Sequence, residues 1–246
     1  MSVRITLAVA KRVLLQIRHD HRTLAMLVVL PSLILTLLWW MFNDSGGRGF
    51  DSLGPALLAL IPFIIMFLVT SVTTLRERSG GTLERLLAMP MGKLDLLLGY
   101  AIAFGVMATL QSALAVTVCV GLLGLDIAGP VWMLVVVAVA NAVLGTALGL
   151  FVSAFARTEF QAVQFMPLFV IPQILLCGLF VARDLLPDVL GVISDVLPLS
   201  YSVEAMQSVA ARSSLGSDVW GDLGVVALFA AAALALGAAT LRRRTP

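Results

Sequence analysis

Residues 53–75 read LGPALLALIPFIIMFLVTSVTTL, from Leu53 to Leu75 without a charged side chain, and Arg76 follows at once. A helix needs ~20 apolar residues to cross a bilayer hydrocarbon core of ~30 Å, and this run supplies them. It lacks the apolar and polar alternation of a transmembrane barrel strand. Five more charge-poor runs accompany it: Leu24 to Phe42, Leu96 to Leu123, Val131 to Phe155, Val163 to Val181 and Leu223 to Leu241. The expected fold is therefore an all-α integral membrane protein with six transmembrane helices, residues 1–246 forming a single transmembrane domain. Composition agrees, because 60% of the 246 residues are hydrophobic and 12% charged, against roughly 25% charged in soluble domains. That balance argues against a water-soluble fold, and a net charge of +2 is too small to indicate nucleic-acid binding. Cys119 and Cys177 lie inside apolar runs, so they read as packing residues and not as a disulfide pair or metal ligands.

The placement of charge orients the spans. Of the 16 Lys and Arg residues, thirteen fall on one side, in 1–23, 76–95, Arg157 and the tail, and only Arg48, Arg183 and Arg212 on the other. By the positive-inside rule both termini are cytoplasmic, in a plasma or inner membrane. Trp39 and Trp40 suit an aromatic anchor at the outer interface. Residues 1–22 carry Val3, Leu7, Ala10, Leu14 and Ile17 at helical spacing, with Arg4, Lys11 and Arg18 every seven residues on another face. Such a segment suits an amphipathic helix on the cytoplasmic leaflet, in contact with membrane lipids. A cleaved signal peptide fits less well, since the basic stretch is long and no small-x-small site follows the first run.

The spans hold no Asp, Glu, Lys, Arg or His away from their ends. An ion-driven carrier usually keeps such a residue near midplane despite a penalty of roughly 2.5–3.5 kcal/mol. No nucleophile and base meet at span depth, so no catalytic residue is assigned. There is no G-x-x-x-x-G-K-[ST] phosphate loop, hence no ATP site of that kind. Uphill movement would need energy from a partner. Gln111, Asn141 and Gln173 come from three different spans and are the candidate residues of a translocation path. Pro167 and Pro172 predict a kinked fifth span.

Between the second and third spans runs RERSGGTLERLLAMPM, Arg76 to Met91. Thr82 can cap a short helix to Met89, with Glu84 in its first turn and Pro90 ending it. Leu83, Leu86 and Leu87 form its apolar face, Glu84 and Arg85 its polar one. A helix this short needs a surface to dock on. The stretch resembles the E-R-E-x-G-T-[LM]-E-x-L-L-x-x-P signature of type 2 ABC transporter permeases, matched by Glu77, Gly81, Thr82, Leu83, Glu84, Leu86, Leu87 and Pro90. The doubled glycine, Gly80 and Gly81, preceded by Arg78 and Ser79, departs from that pattern. The basic N-terminus is similar to the family's elbow helix, and residues 197–206, LPLSYSVEAM, to its P-x-x-Y-x-[VI]-E segment.

The resemblance implies a permease subunit paired with a second permease copy or related chain, and with a separate ATP-binding-cassette subunit that binds ATP and Mg. It also implies a cytoplasmic coupling helix, in which Glu77, Thr82, Leu83, Glu84, Arg85, Leu86, Leu87 and Pro90 meet that ATPase. The segment 183–218 carries apolar residues at helical spacing and should lie in the outer interface or re-enter the membrane. By resemblance it closes the outer end of the path, with Pro198, Tyr201 and Glu204 as gate residues. The implied function is ATP-driven export of a hydrophobic or amphiphilic, drug-like or antibiotic-like substrate. Alternatives are export of lipid or polysaccharide precursors, or a non-transport scaffold that docks a cytoplasmic partner.

Overall fold

A computed structural model of the chain describes residues 2–43, 49–80, 92–156, 158–214 and 216–240. Every regular element among them is helical: α1 Val3–His19, α2 His21–Asn43, α3 Phe50–Ser79, α4 Lys93–Thr117, α5 Val131–Ser153, α6 Glu159–Leu176, α7 Asp188–Val196, α8 Pro198–Ala211 and α9 Ser217–Thr240. Six of these, α2 to α6 and α9, are long and apolar enough to cross a membrane. All six expected spans are therefore present.

Helix ends depart from the apolar runs in both directions, because capping residues and turn glycines set them. The fifth span begins before Val163, where the Thr158 side chain accepts from the Gln161 amide and Glu159 occupies the first turn. It stops at Leu176 instead of Val181, since Gly178 turns the chain at φ +91°. The third span closes with a π-helical turn, Val118–Leu122, before Gly124 reverses the chain at φ +70°. Asp20 separates α1 from α2: its Oδ1 accepts from the amides of Arg22 and Thr23, and its Oδ2 from the Thr23 hydroxyl at 2.7 Å. The Thr23 hydroxyl bond is the main cause holding the Asp20 carboxyl below its ordinary pKa.

The centre of the bundle is the crossing of α3 and α5. A Cβ on Gly145 would lie 2.4 Å from the Phe63 carbonyl oxygen, and one on Gly149 2.6 Å from that of Phe67. Two glycines four residues apart thus let the two backbones meet, the packing device that replaces hydrophobic driving force inside lipid. Asn141 fastens the same crossing. Its Nδ2 donates to the Ala59 carbonyl at 2.6 Å, and its Oδ1 accepts from the Ser202 hydroxyl at 2.9 Å. Ala59 adjoins the Leu58 carbonyl, which loses its helical partner because Pro62 has no N–H. Ser112 Oγ donates to the Ala138 carbonyl and ties in α4.

The amphipathic face of α1 is rotated relative to its sequence pattern. Val9, Ala10, Val13 and Ile17 are buried, whereas Val3 is 68% and Leu7 54% exposed. The cause is Gly99 on α4, where a Cβ would fall 2.6 Å from Val9; the missing side chain seats Val9 there and sets the roll of α1. At the opposite end, α7 and α8 meet at 90°. Ser202 reaches Asn141, ten residues into α5, while the Ala210 carbonyl accepts from the Ala128 amide before α5 starts. α8 therefore re-enters the bundle and runs back out to its end.

Filling the α3–α5 contact is expected to cost about 1–3 kcal/mol per added methyl. Gly145→Ala and Gly149→Ala should lower the melting temperature of the detergent-purified chain, while Gly105→Ala and Gly224→Ala, with no atom within 4 Å of the added carbon, leave it unchanged or raise it.

Candidate functional site

At the end of the bundle shared by α1, the C-terminus of α3 and the N-termini of α4 and α6, three carboxylates tie the helices together. Glu77 closes α3 with its side chain 11% exposed, and its Oε1 accepts from Arg12 Nη2 of α1 at 3.1 Å. The Gln16 amide, oriented with its nitrogen toward Glu77 Oε1 at 2.9 Å, accepts from Arg12 at 3.2 Å and completes a triangle. The neighbouring Arg76 points to another helix: its Nε and Nη2 form a two-pronged pair with Glu159 at 2.9 and 3.0 Å, in the first turn of α6. Asp95 caps α4 by accepting from the Gly92 amide at 3.1 Å, and also accepts from the Ser2 amide at 2.8 Å. The chain thus leaves α3 at Gly80 and returns at Gly92 inside a frame built from α1, α3, α4 and α6.

Of the residues expected to form the coupling contact, Glu77 stands in this frame. Thr82, Leu83, Glu84, Arg85, Leu86, Leu87 and Pro90 lie outside the described residues.

The three amides assigned to a path differ sharply. Asn141 is engaged on both amide atoms, as the link between α3, α5 and α8. Gln111 is buried with neither amide atom bonded among the described residues. Gln173 donates to the Phe169 carbonyl at 2.9 Å, and its buried Oε1 has no partner there. A further glutamine, not singled out from sequence, takes a different position. Gln164 is exposed in the N-terminal third of α6, on the open face that also carries Phe160, Leu168, Ile171 and Leu175. On that face Pro167 and Pro172 deny helical partners to the carbonyls of Val163 and Leu168. The helical periodicity of the exposed residues carries this signal.

At the far end, Pro198 is buried in the first turn of α8. Tyr201 Oη donates to the Asp195 carbonyl at 2.8 Å. Glu204 pairs with Arg183, which also donates to Asp195 Oδ1 at 2.6 Å and lies 5.0 Å over the Tyr201 ring. Burial alone would lower the Arg183 pKa, but Asp195 and Glu204 outweigh it and hold it above the usual value. Among the described residues no His, Cys, Asp and Glu cluster could hold a metal ion.

The profile of the ABC-2 type transporter family matches residues 5–210, from α1 through the re-entrant α8. The chain belongs to that family. Among curated ABC-2 relatives, it is 26% identical over 202 residues to the linearmycin resistance permease protein LnrN of Bacillus subtilis, a match covering 81% of this chain and 52% of that protein. It is 25% identical over 190 residues to the probable multidrug ABC transporter permease YbhR of Escherichia coli, covering 77% and 52%. It is 23% identical over 208 residues to ABC transporter G family member 20 of Dictyostelium discoideum, covering 85% and 28%. The chain spans about half the length, or less, of these relatives. The matched region includes the Glu77 frame and the Arg183 knot alike.

The two ion pairs of this ABC-2 chain should differ in weight. Arg12→Ala leaves a mostly buried carboxylate unpaired and is expected to cost about 3 kcal/mol. Arg76→Ala breaks a pair whose side chains are 56% and 50% exposed, worth about 1 kcal/mol or less. Thermal denaturation of the two variants side by side checks the ranking.

Proposed function

We infer that this ABC-2 chain is the membrane-spanning subunit of an exporter that moves a hydrophobic or amphiphilic, drug-like or antibiotic-like substrate out of the cell. The observation that carries this reading is the frame around residues 81–91. Adjacent side chains at the end of α3 reach α1 through Glu77 and α6 through Arg76, so a push on that segment is felt by both helices. The excess of Lys and Arg makes this end cytoplasmic. A separate ATP-binding-cassette subunit holds ATP and Mg and docks on Thr82 to Pro90, Leu83, Leu86 and Leu87 making apolar contacts and Glu84 with Arg85 polar ones.

A second permease copy, or a related chain, faces this one across the substrate path. The open face of α6 supports that arrangement. Two carbonyls without helical partners and an exposed glutamine are unfavourable against lipid tails, where every backbone polar group needs a partner. Against a hydrated path or a facing subunit they are tolerated. Apolar neighbours on that face, Phe160, Leu168, Ile171 and Leu175, suit an amphiphilic passenger. Linearmycin resistance in the name of LnrN and multidrug transport in that of YbhR support the substrate class. The re-entrant α7–α8 pair closes the outer end, with Pro198, Tyr201 and Glu204 among its residues.

Replacing Glu84 and Arg85 together by alanine should abolish co-purification of the ATP-binding subunit and reduce ATP-dependent export by about tenfold or more, the equivalent of at least 1.4 kcal/mol of coupling. Full export by a well-expressed variant would overturn the docking assignment.

A further inference from the structure

The re-entrant pair is held to the rest of the chain at two levels. The deeper level is a hydroxyl chain: Ser194 Oγ donates to the Leu176 carbonyl at the end of α6 at 2.8 Å, leaving Ser200 as donor to Ser194 at 3.0 Å. Both serines are fully buried. The shallower level is Arg183, in a single 3-10 turn, Arg183–Leu185, between α6 and α7. Its guanidinium joins three segments: its own turn, the C-terminal turn of α7 through Asp195, and α8 through Glu204 and the Tyr201 ring. Tyr201 in turn bonds the Asp195 carbonyl, so the cation sits inside a closed ring of contacts spanning the 90° bend.

We propose that Arg183 is the latch of the outer gate, the positioning residue that keeps α7 folded against α8 until the gate opens. The proposal rests on reading the re-entrant pair as that gate. Three features support it. Arg183 is a shared cation, so its loss leaves Asp195 and Glu204 as neighbouring like charges and turns attraction into repulsion. Its side chain is only 21% exposed while its two carboxylates are 63% and 53% exposed, so the partners can be rehydrated as they part and the ring can reopen reversibly. The side chains of Val189, Val192, Ile193 and Val196 on α7 are exposed, so little packing on that face resists a displacement of α7.

The test uses Ser200→Cys as a reporter beneath the latch, in a Cys177→Ala background, with buried Cys119 retained as a monitor of folding. A membrane-impermeant maleimide is added to intact cells carrying the full chain, either energised or depleted of ATP. With Arg183 present, the reporter is expected to react slowly in depleted cells and faster in energised ones. Arg183→Gln should raise the rate in depleted cells about tenfold, the equivalent of about 1.4 kcal/mol. Arg183→Lys, keeping the charge but losing the fork, should fall between. A reporter rate in Arg183→Gln equal to that with Arg183 overturns the latch even if ATP accelerates labelling. A rate indifferent to ATP in every background overturns the gate reading itself. Labelling of Cys119 in Arg183→Gln would trace the change to unfolding and overturn the latch.

Discussion

The backbone contact between α3 and α5 is the constraint on which the other elements depend. In lipid, apolar side chains gain little by leaving one apolar neighbour for another, so helices associate where backbones can approach closely and where polar groups find partners. Gly145 and Gly149 provide the approach against the carbonyls of Phe63 and Phe67, and Asn141 provides the bond one to two turns away. With α3 fixed in the middle, α6 and α8 pack along it and α5 supports α4 and α9. The least buried spans, α2, α6 and α9, occupy the outside. The chain thus has a closely packed central pair and a more lightly held periphery.

The two ends of the bundle are connected to its centre in different ways. At the basic end consecutive residues of opposite sign, Arg76 and Glu77, diverge to different helices. A displacement of the following segment is therefore divided between α1 and α6 and is not absorbed in one joint. At the acidic end the re-entrant pair hangs from α6 through Ser194 and the Leu176 carbonyl. α3 and α6 both touch the two systems, and each carries two prolines at which it can bend between them.

How far the sequence disclosed this depends on which force acts. The six spans are legible because the bilayer demands long charge-free runs, and the positions of their caps are not, because Thr158 and Gly178 act over a few residues. The roll of α1 is ambiguous from periodicity: the stripe Val3, Leu7, Ala10, Leu14, Ile17 and the observed one, Thr6, Val9, Ala10, Val13, Ile17, share two members, and both fit a helical face. Gly99, remote in sequence, decides between them. Gln111, Asn141 and Gln173 looked alike as buried amides, yet only tertiary neighbours distinguish a fully bonded Asn141 from a Gln111 without a partner among the described residues. Gln164 escaped notice because the apolar run starts at Val163 and left it at the edge of the span, whereas the Thr158 cap starts the helix at Glu159. Arg183 could have been suspected, as one of only three cations on its side of the membrane among nine carboxylates.

Asp95 bears on how the chain is assembled. The Ser2 amide that it accepts lies 93 residues earlier, and the α1 face of Val9, Val13 and Ile17 has no protein surface to cover it until α4 has been made. At ordinary synthesis rates that delay is roughly 5–20 s. The amphipathic character of the N-terminal helix is thus satisfied only late in synthesis, when α4 covers one of its two overlapping apolar stripes and leaves Val3 and Leu7 of the other exposed.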